Sequence, residues 1–172
     1  MKKSSILNSQ FSISSGFTLV ELLLTLSLSV TIAIISIGGF VQFNSLQNFN
    51  NAVSEVTTVL QKAKSHAISQ VKPTSVAACA SNQLDGYEVR LCGLPGSSCA
   101  GAGQYNMYVI CGGSNLLETD VLPSGVTFAS GSTTAFTFNL LNGSATSGSI
   151  VLNGFGRTKT IQVSSIGIIS VQ

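Results

Sequence analysis

The apolar run from Phe17 to Phe43 constrains this chain more than anything else in it. It holds about 27 residues, where roughly 20 suffice to cross a bilayer as a helix, so it is expected to span a membrane. Its one charged side chain is Glu21, four residues past Phe17. An ionised carboxylate in such a segment costs about 2.5–3.5 kcal/mol at the bilayer centre, so Glu21 calls for a cationic partner.

The residues before Gly16 are polar and serine-rich, with Lys2 and Lys3 near the start. A secretory signal peptide places its apolar core before the cleavage point, and here that order is inverted. Positive charge ahead of the run keeps the N-terminus cytoplasmic, so the chain beyond Phe43 is expected outside the cytoplasm. A cut between Gly16 and Phe17 would create an α-amino cation one helical turn from Glu21.

Gly16-Phe17-Thr18-Leu19-Val20-Glu21 resembles the processing site of type IV prepilins and type II secretion pseudopilins. The resemblance implies that prepilin peptidase cuts after Gly16 and N-methylates Phe17. It also implies that Glu21 neutralises the terminal amine of a neighbouring subunit in an assembled filament.

Charged residues make up only 8% of the chain, against about 25% in typical domains. The formal charge of +2 depends on Lys2 and Lys3; without that leader, six basic residues balance six acidic ones. A globally basic nucleic-acid surface is therefore not expected.

Leu46, Phe49, Val53, Val56, Leu60, Ala63 and Ala67 recur at spacings of three and four, which predicts that the helix continues beyond the span. From Phe17 to about Val71 it would measure about 80 Å. Lys72-Pro73 is expected to end it, since proline lacks an amide donor and disfavours helical geometry before it. Short β-favouring runs follow at Thr74–Ala80, Tyr87–Cys92, Tyr105–Cys111, Leu116–Leu122, Ala135–Asn139, Ser149–Leu152, Thr158–Val163 and Ile168–Val171. Asn142-Gly143 and Asn153-Gly154 are hairpin turn signals, a reading preferred over glycosylation for Asn142-Gly143-Ser144. The fold class is thus α+β, and the resemblance implies a pilin fold, with a long membrane-spanning helix packed against an antiparallel β-sheet head. The expected divisions are a leader at 1–16, a transmembrane half-helix at 17–43, a periplasmic half-helix at 44–72 and one β-rich head at 73–172.

Further motifs narrow the resemblance. Leu60-Gln61-Lys62-Ala63-Lys64-Ser65-His66-Ala67-Ile68 followed by Val76-Ala77-Ala78-Cys79 is similar to the start of a GspH/FimT-type head. Leu122-Pro123-Ser124-Gly125-Val126, Phe136-Thr137-Phe138-Asn139, Gly156-Arg157-Thr158-Lys159-Thr160-Ile161-Gln162-Val163 and a hairpin at Gly167 resemble its close.

Cys79, Cys92, Cys99 and Cys111 all fall in the part expected to face an oxidising compartment, and their even number favours two disulfides. Three pairings are open. Cys92 with Cys99 would close a short loop and leave Cys79 with Cys111; that is the preferred reading, although two strands of a meander can hold the latter pair beyond the roughly 7 Å of Cα separation that a bridge tolerates. A zinc site is the alternative, but there is no C-x-x-C and the only histidine, His66, lies on the helix, so no metal is expected.

Catalysis has no support: the sequence contains no G-x-S-x-G elbow, no H-E-x-x-H and no Walker loop. No cofactor is expected. His66 with Lys62 and Lys64 reads as a solvated helix face, and Asp85 with Glu88 as a solvated strand edge. FimT-like members that act in DNA uptake carry Gly-Arg-x-Arg, and Gly156-Arg157-Thr158-Lys159 is similar. Lysine keeps the charge but loses the planar fork, which favours phosphate contact over base readout. The simpler reading is that Arg157 and Lys159 alternate on an outer strand face and keep it soluble.

The sequence therefore implies a structural minor pilin or pseudopilin of the GspH/FimT type, in a type II secretion pseudopilus or a type IV pilus, with a tip or initiating role. Its implied partners are prepilin peptidase, other pilin-like subunits, the inner-membrane assembly platform and, before assembly, membrane lipid. Nucleic acid, through Arg157 and Lys159, ranks below these. The implied location is the bacterial inner membrane, crossed once, with the head in the periplasm or on an extracellular filament.

Overall fold

The structure, a computed structural model, describes residues 18–172, apart from the side chains of residues 34–39. Helix α1 covers Leu19–Ile68. The chain divides between Gln42 and Phe43 into two units.

In the first unit, Leu22, Leu24, Leu26, Leu28, Val30 and Ile32 are exposed. Four of its hydroxyls are turned onto the helix itself: Thr25 donates to the Leu22 carbonyl (3.0 Å), Ser27 to Leu24 (2.9 Å), Ser29 to Thr25 (2.7 Å) and Thr31 to Leu28 (2.8 Å). Such back-bonding lets a serine or threonine sit in a helix without an outside partner. Among the described residues no helix is long and apolar enough to cross a membrane. Of the expected span 17–43, Phe17 and the side chains of 34–39 lie outside the described residues.

The second unit is the head. Its helical stripe is wider than the sequence spacing predicts, because Ala52 and Val59 are buried along with Phe49, Val53, Val56, Leu60, Ala63 and Ala67, while Leu46 is only half-buried. Helix α1 ends three residues before the expected Val71. The amide of Val71 donates to the His66 carbonyl (3.1 Å) and that of Gln70 to Ala67 (3.3 Å), with Gln70 at φ 52°. This is a Schellman closure with glutamine in the left-handed position that glycine usually fills, so the helix stops on its own backbone before Pro73 can break it.

The segment expected as a strand at Thr74–Ala80 is instead the short helix α2, Ala77–Ser81. Alanine is the best helix former, and Ala77-Ala78-Cys79-Ala80 outweighs the β-branched Thr74 and Val76. Eight strands follow: β1 Gly86–Leu91, β2 Gln104–Ile110, β3 Ser114–Val121, β4 Val126–Phe128, β5 Ala135–Asn139, β6 Gly148–Gly154, β7 Arg157–Val163 and β8 Ile169–Val171. They form two antiparallel sheets, ordered β3-β2-β1-β5 and β4-β6-β7-β8. Their inner faces bury Tyr87, Val89, Leu91, Met107, Val109, Phe136, Phe138, Ile150, Leu152 and Ile161 in one core with the helix stripe. Full burial of side chains of this kind contributes about 1.5–3 kcal/mol each, before the entropy cost of ordering them.

The turns follow local chemistry. The β6–β7 turn falls two residues beyond Asn153-Gly154, at Phe155-Gly156 with φ 51° and 72°, as a two-residue primed hairpin requires. Leu141 and Gly143 take positive φ in the turn after β5, where Asn142 Oδ1 accepts the Ser144 amide (3.0 Å). Gly167, at φ 74°, closes the β7–β8 turn.

Candidate functional site

Gly16 and Phe17 lie outside the described residues. Glu21 is exposed in the first turn of α1, where its amide donates to Thr18 Oγ1 at 3.2 Å. Thr18 is thus the N-cap and Glu21 the third helical residue, the spacing of a capping box. A carboxylate at that position also complements the positive end of the helix dipole. Among the described residues the ion pairs are Lys62–Glu118 and Arg90–Glu88, and Glu21 takes part in neither.

Cys79 is bonded to Cys111 and Cys92 to Cys99. The helical turn of α2 brings Cys79 to 5.1 Å from Cys111, Cα to Cα, which removes the separation expected of a strand. Asp85 and Gly86 bond and pair with Ile110, the residue before Cys111, so the start of β1 fixes the same register. No group of His, Cys, Asp and Glu suited to a metal ion occurs among the described residues.

Arg157 and Lys159 stand at the start of β7. Lys159 is opposite Leu152, Arg157 is opposite Gly154, and both share the face that buries Ile161 and Val163. They therefore continue the inner face of the sheet beyond the core, which corrects the outer-face expectation. Strand β8 reaches only Val171 opposite Ile161, so the start of β7 has a neighbour on one side only.

Two other surface readings need correction. His66 is half-buried and packs edge-on against Tyr87, and Lys62 pairs with Glu118 at 2.5 Å, so this helix face is not simply solvated. Glu88 lies on the interior strand β1, not on an edge; Arg90 binds it at 2.5 Å, donates to Ser114 Oγ at 2.7 Å and stacks 4.4 Å above the Tyr108 ring.

A cleft of about 420 Å³ between α1 and β3 was not legible in the sequence; its lining includes Glu55, Lys62, Tyr105, Glu118 and Asp120. Desolvation first, then the charge of Glu118, pushes the Asp120 carboxyl above its ordinary value, while Lys62 pulls it down. Burial and the same acids push the Tyr105 phenol up. Only three-dimensional pairing brings Glu55 to the β3 acids, since they lie on elements far apart in the chain.

The family model for type II transport protein GspH matches residues 52–167, more than half of the chain. The chain belongs to the GspH family. The matched region runs from Ala52 on α1 to Gly167 in the last turn, taking in both disulfides, Arg157 and Lys159. GspH proteins are pilin-like subunits of type II secretion, a structural family and not one of enzymes. No curated protein and no solved structure matches this GspH chain.

Proposed function

We propose that this GspH-family chain is a processed, membrane-anchored minor pseudopilin. Prepilin peptidase would cut after Gly16 and methylate Phe17, residues 17–43 would hold the subunit in the inner membrane, and the head beyond them would lie in the periplasm. Glu21 would then neutralise the new amino terminus of a neighbouring subunit as spines pack into the pseudopilus, with the head joining other minor subunits at its initiating tip.

The observation that carries this reading is the family match over the head, joined to the Gly16–Glu21 motif ahead of it. The apolar half-helix supports it, because hydroxyls bonded to the helix's own carbonyls suit a hydrocarbon setting where outside partners are absent.

The test is the intact mass and N-terminal residue of the protein from its native membrane, with and without the peptidase. An N-methylated Phe17 is expected only with the peptidase. A retained Met1 would remove the processed-subunit reading. Glu21→Ala is expected to leave cleavage intact and abolish incorporation into filaments, read by crosslinking to neighbouring subunits.

A further inference from the structure

From Val121 to Gln172 the only charged side chains are Arg157 and Lys159; the segment contains no Asp or Glu. Both sit at one hairpin tip, together with Phe155, which is 44% exposed although it is a large apolar side chain. Phe155 holds a positive φ of 51°, and its ring lies over Gly125, where an added Cβ would come within 2.8 Å of Phe155 Cζ. The tip therefore carries one aromatic ring seated against Gly125 and two cations within the next four residues.

Its place on the head is set by two glycines. An added Cβ at Gly154, opposite Arg157, would lie 3.1 Å from Phe49 Cδ2, and one at Gly167, beyond the far end of β7, would lie 3.3 Å from Lys64 Cε. From Phe49 to Lys64 the helix advances about 22 Å, and from Arg157 to Ser164 the strand advances about 23 Å. The two elements thus run side by side, with the hairpin tip level with Phe49 and the last turn level with Lys64.

We propose that Phe155, Arg157 and Lys159 form a docking surface for an anionic phospholipid bilayer, holding the head against the membrane before the subunit is assembled. The inference rests on the membrane-anchored reading. A span ending at Phe43 leaves about 9 Å of helix between the hydrocarbon boundary and Phe49. The headgroup layer is roughly 5–7 Å deep on each side, within reach of long basic side chains at that level. An aromatic ring beside cations suits this layer, since the ring seats among headgroups while the cations meet phosphates. The same position disfavours nucleic acid as the partner, because the pair lies level with Phe49, only six residues along the chain from the end of the expected span at Phe43.

The chain has no tryptophan, so a single one reports its own surroundings. The full chain carrying Phe155→Trp, reconstituted in brominated phosphatidylcholine vesicles with phosphatidylglycerol, is expected to show blue-shifted, quenched emission. Arg157→Gln with Lys159→Gln should weaken docking about five-fold per charge removed, as should omitting phosphatidylglycerol. Quenching that ignores both changes, no quenching at all, or an emission shift with duplex DNA in place of the anionic lipid would overturn the proposal. Leu28→Trp, on the anchor, separates the two readings. If it is quenched while Phe155→Trp is not, the docking surface alone fails; if neither is quenched, the membrane-anchored reading fails with it.

Discussion

His66 stands edge-on to Tyr87, with ring centroids 5.4 Å apart and planes at 80°. The Tyr87 hydroxyl donates to the carbonyl of Val71, just past the Schellman closure of α1. One side chain of β1 thereby holds both the last turn of the helix and the chain leaving it. Tyr87→Phe keeps the ring contact and removes the hydrogen bond, so it is expected to cost about 0.5–1.5 kcal/mol. A lower denaturant midpoint with an unchanged m-value would show this; an unchanged midpoint would mean that the bond contributes nothing.

The two disulfides close loops of different length, with sequence separations of 32 and 7. The chain-entropy relation gives about 3.7 kcal/mol for the longer loop and about 2.5 kcal/mol for the shorter. Replacing both Cys79 and Cys111 by alanine is therefore expected to lower stability more than replacing Cys92 and Cys99. Denaturant titration of the two double variants decides, and the reverse order would contradict this account.

Asp120 gives the head a pH dependence of unusual sign. Desolvation and Glu118 raise its pKa in the folded chain, so the folded state keeps this proton to a higher pH than the unfolded state does. Its contribution to stability accordingly falls as pH rises from the usual carboxylate value through the raised one. Asp120→Asn removes that part of the slope and is expected to gain most, relative to the parent, at neutral pH. Unfolding measured across an acid-to-neutral series should show the two curves diverging; parallel curves would refute it.

The Lys62–Glu118 bridge, with side chains 41% and 36% exposed, is expected to matter little to stability despite its 2.5 Å length. Solvent screening limits such pairs to about 0–1 kcal/mol. Lys62→Met should therefore change the midpoint slightly, and less still at high salt, and a large salt-insensitive loss would show the pair to be more than a surface contact.

At Gly154 the β6–β7 hairpin comes close to Phe49 of α1. An added Cβ would meet the Gly125 carbonyl oxygen at 2.9 Å and both Phe49 and Val126 at 3.1 Å. Gly154→Val is expected to cost about 1–3 kcal/mol through overpacking and to displace the Arg157 tip. A thermal midpoint equal to the parent's would show that the helix and hairpin have room to part.

The sequence made the broad plan readable because its signals were periodic: the three-and-four spacing from Phe49 to Ala67, and alternation in runs such as Tyr87-Glu88-Val89-Arg90-Leu91. Strand β4, at three residues, was too short to show any period. Segment Thr74–Ala80 offers conflicting signals, since Thr74 and Val76 favour a strand while Ala77-Ala78-Cys79-Ala80 favours the helix that forms. Placement on faces was hidden for a different reason. Lys159 alternates like a surface residue, and only its register with Leu152 reveals that it extends the inner face. The cleft acids likewise depended on pairing between α1 and β3, which no local window contains.

Cys79 and Cys111 are both fully enclosed by the core that their bond helps to close. Thiol exchange needs a thiolate to reach a sulfur atom, and in the packed head neither half-cystine presents more than about 1% of its surface to one. The bond therefore works as a latch that the folded head itself shields, so reductants reach it only when the core around it opens.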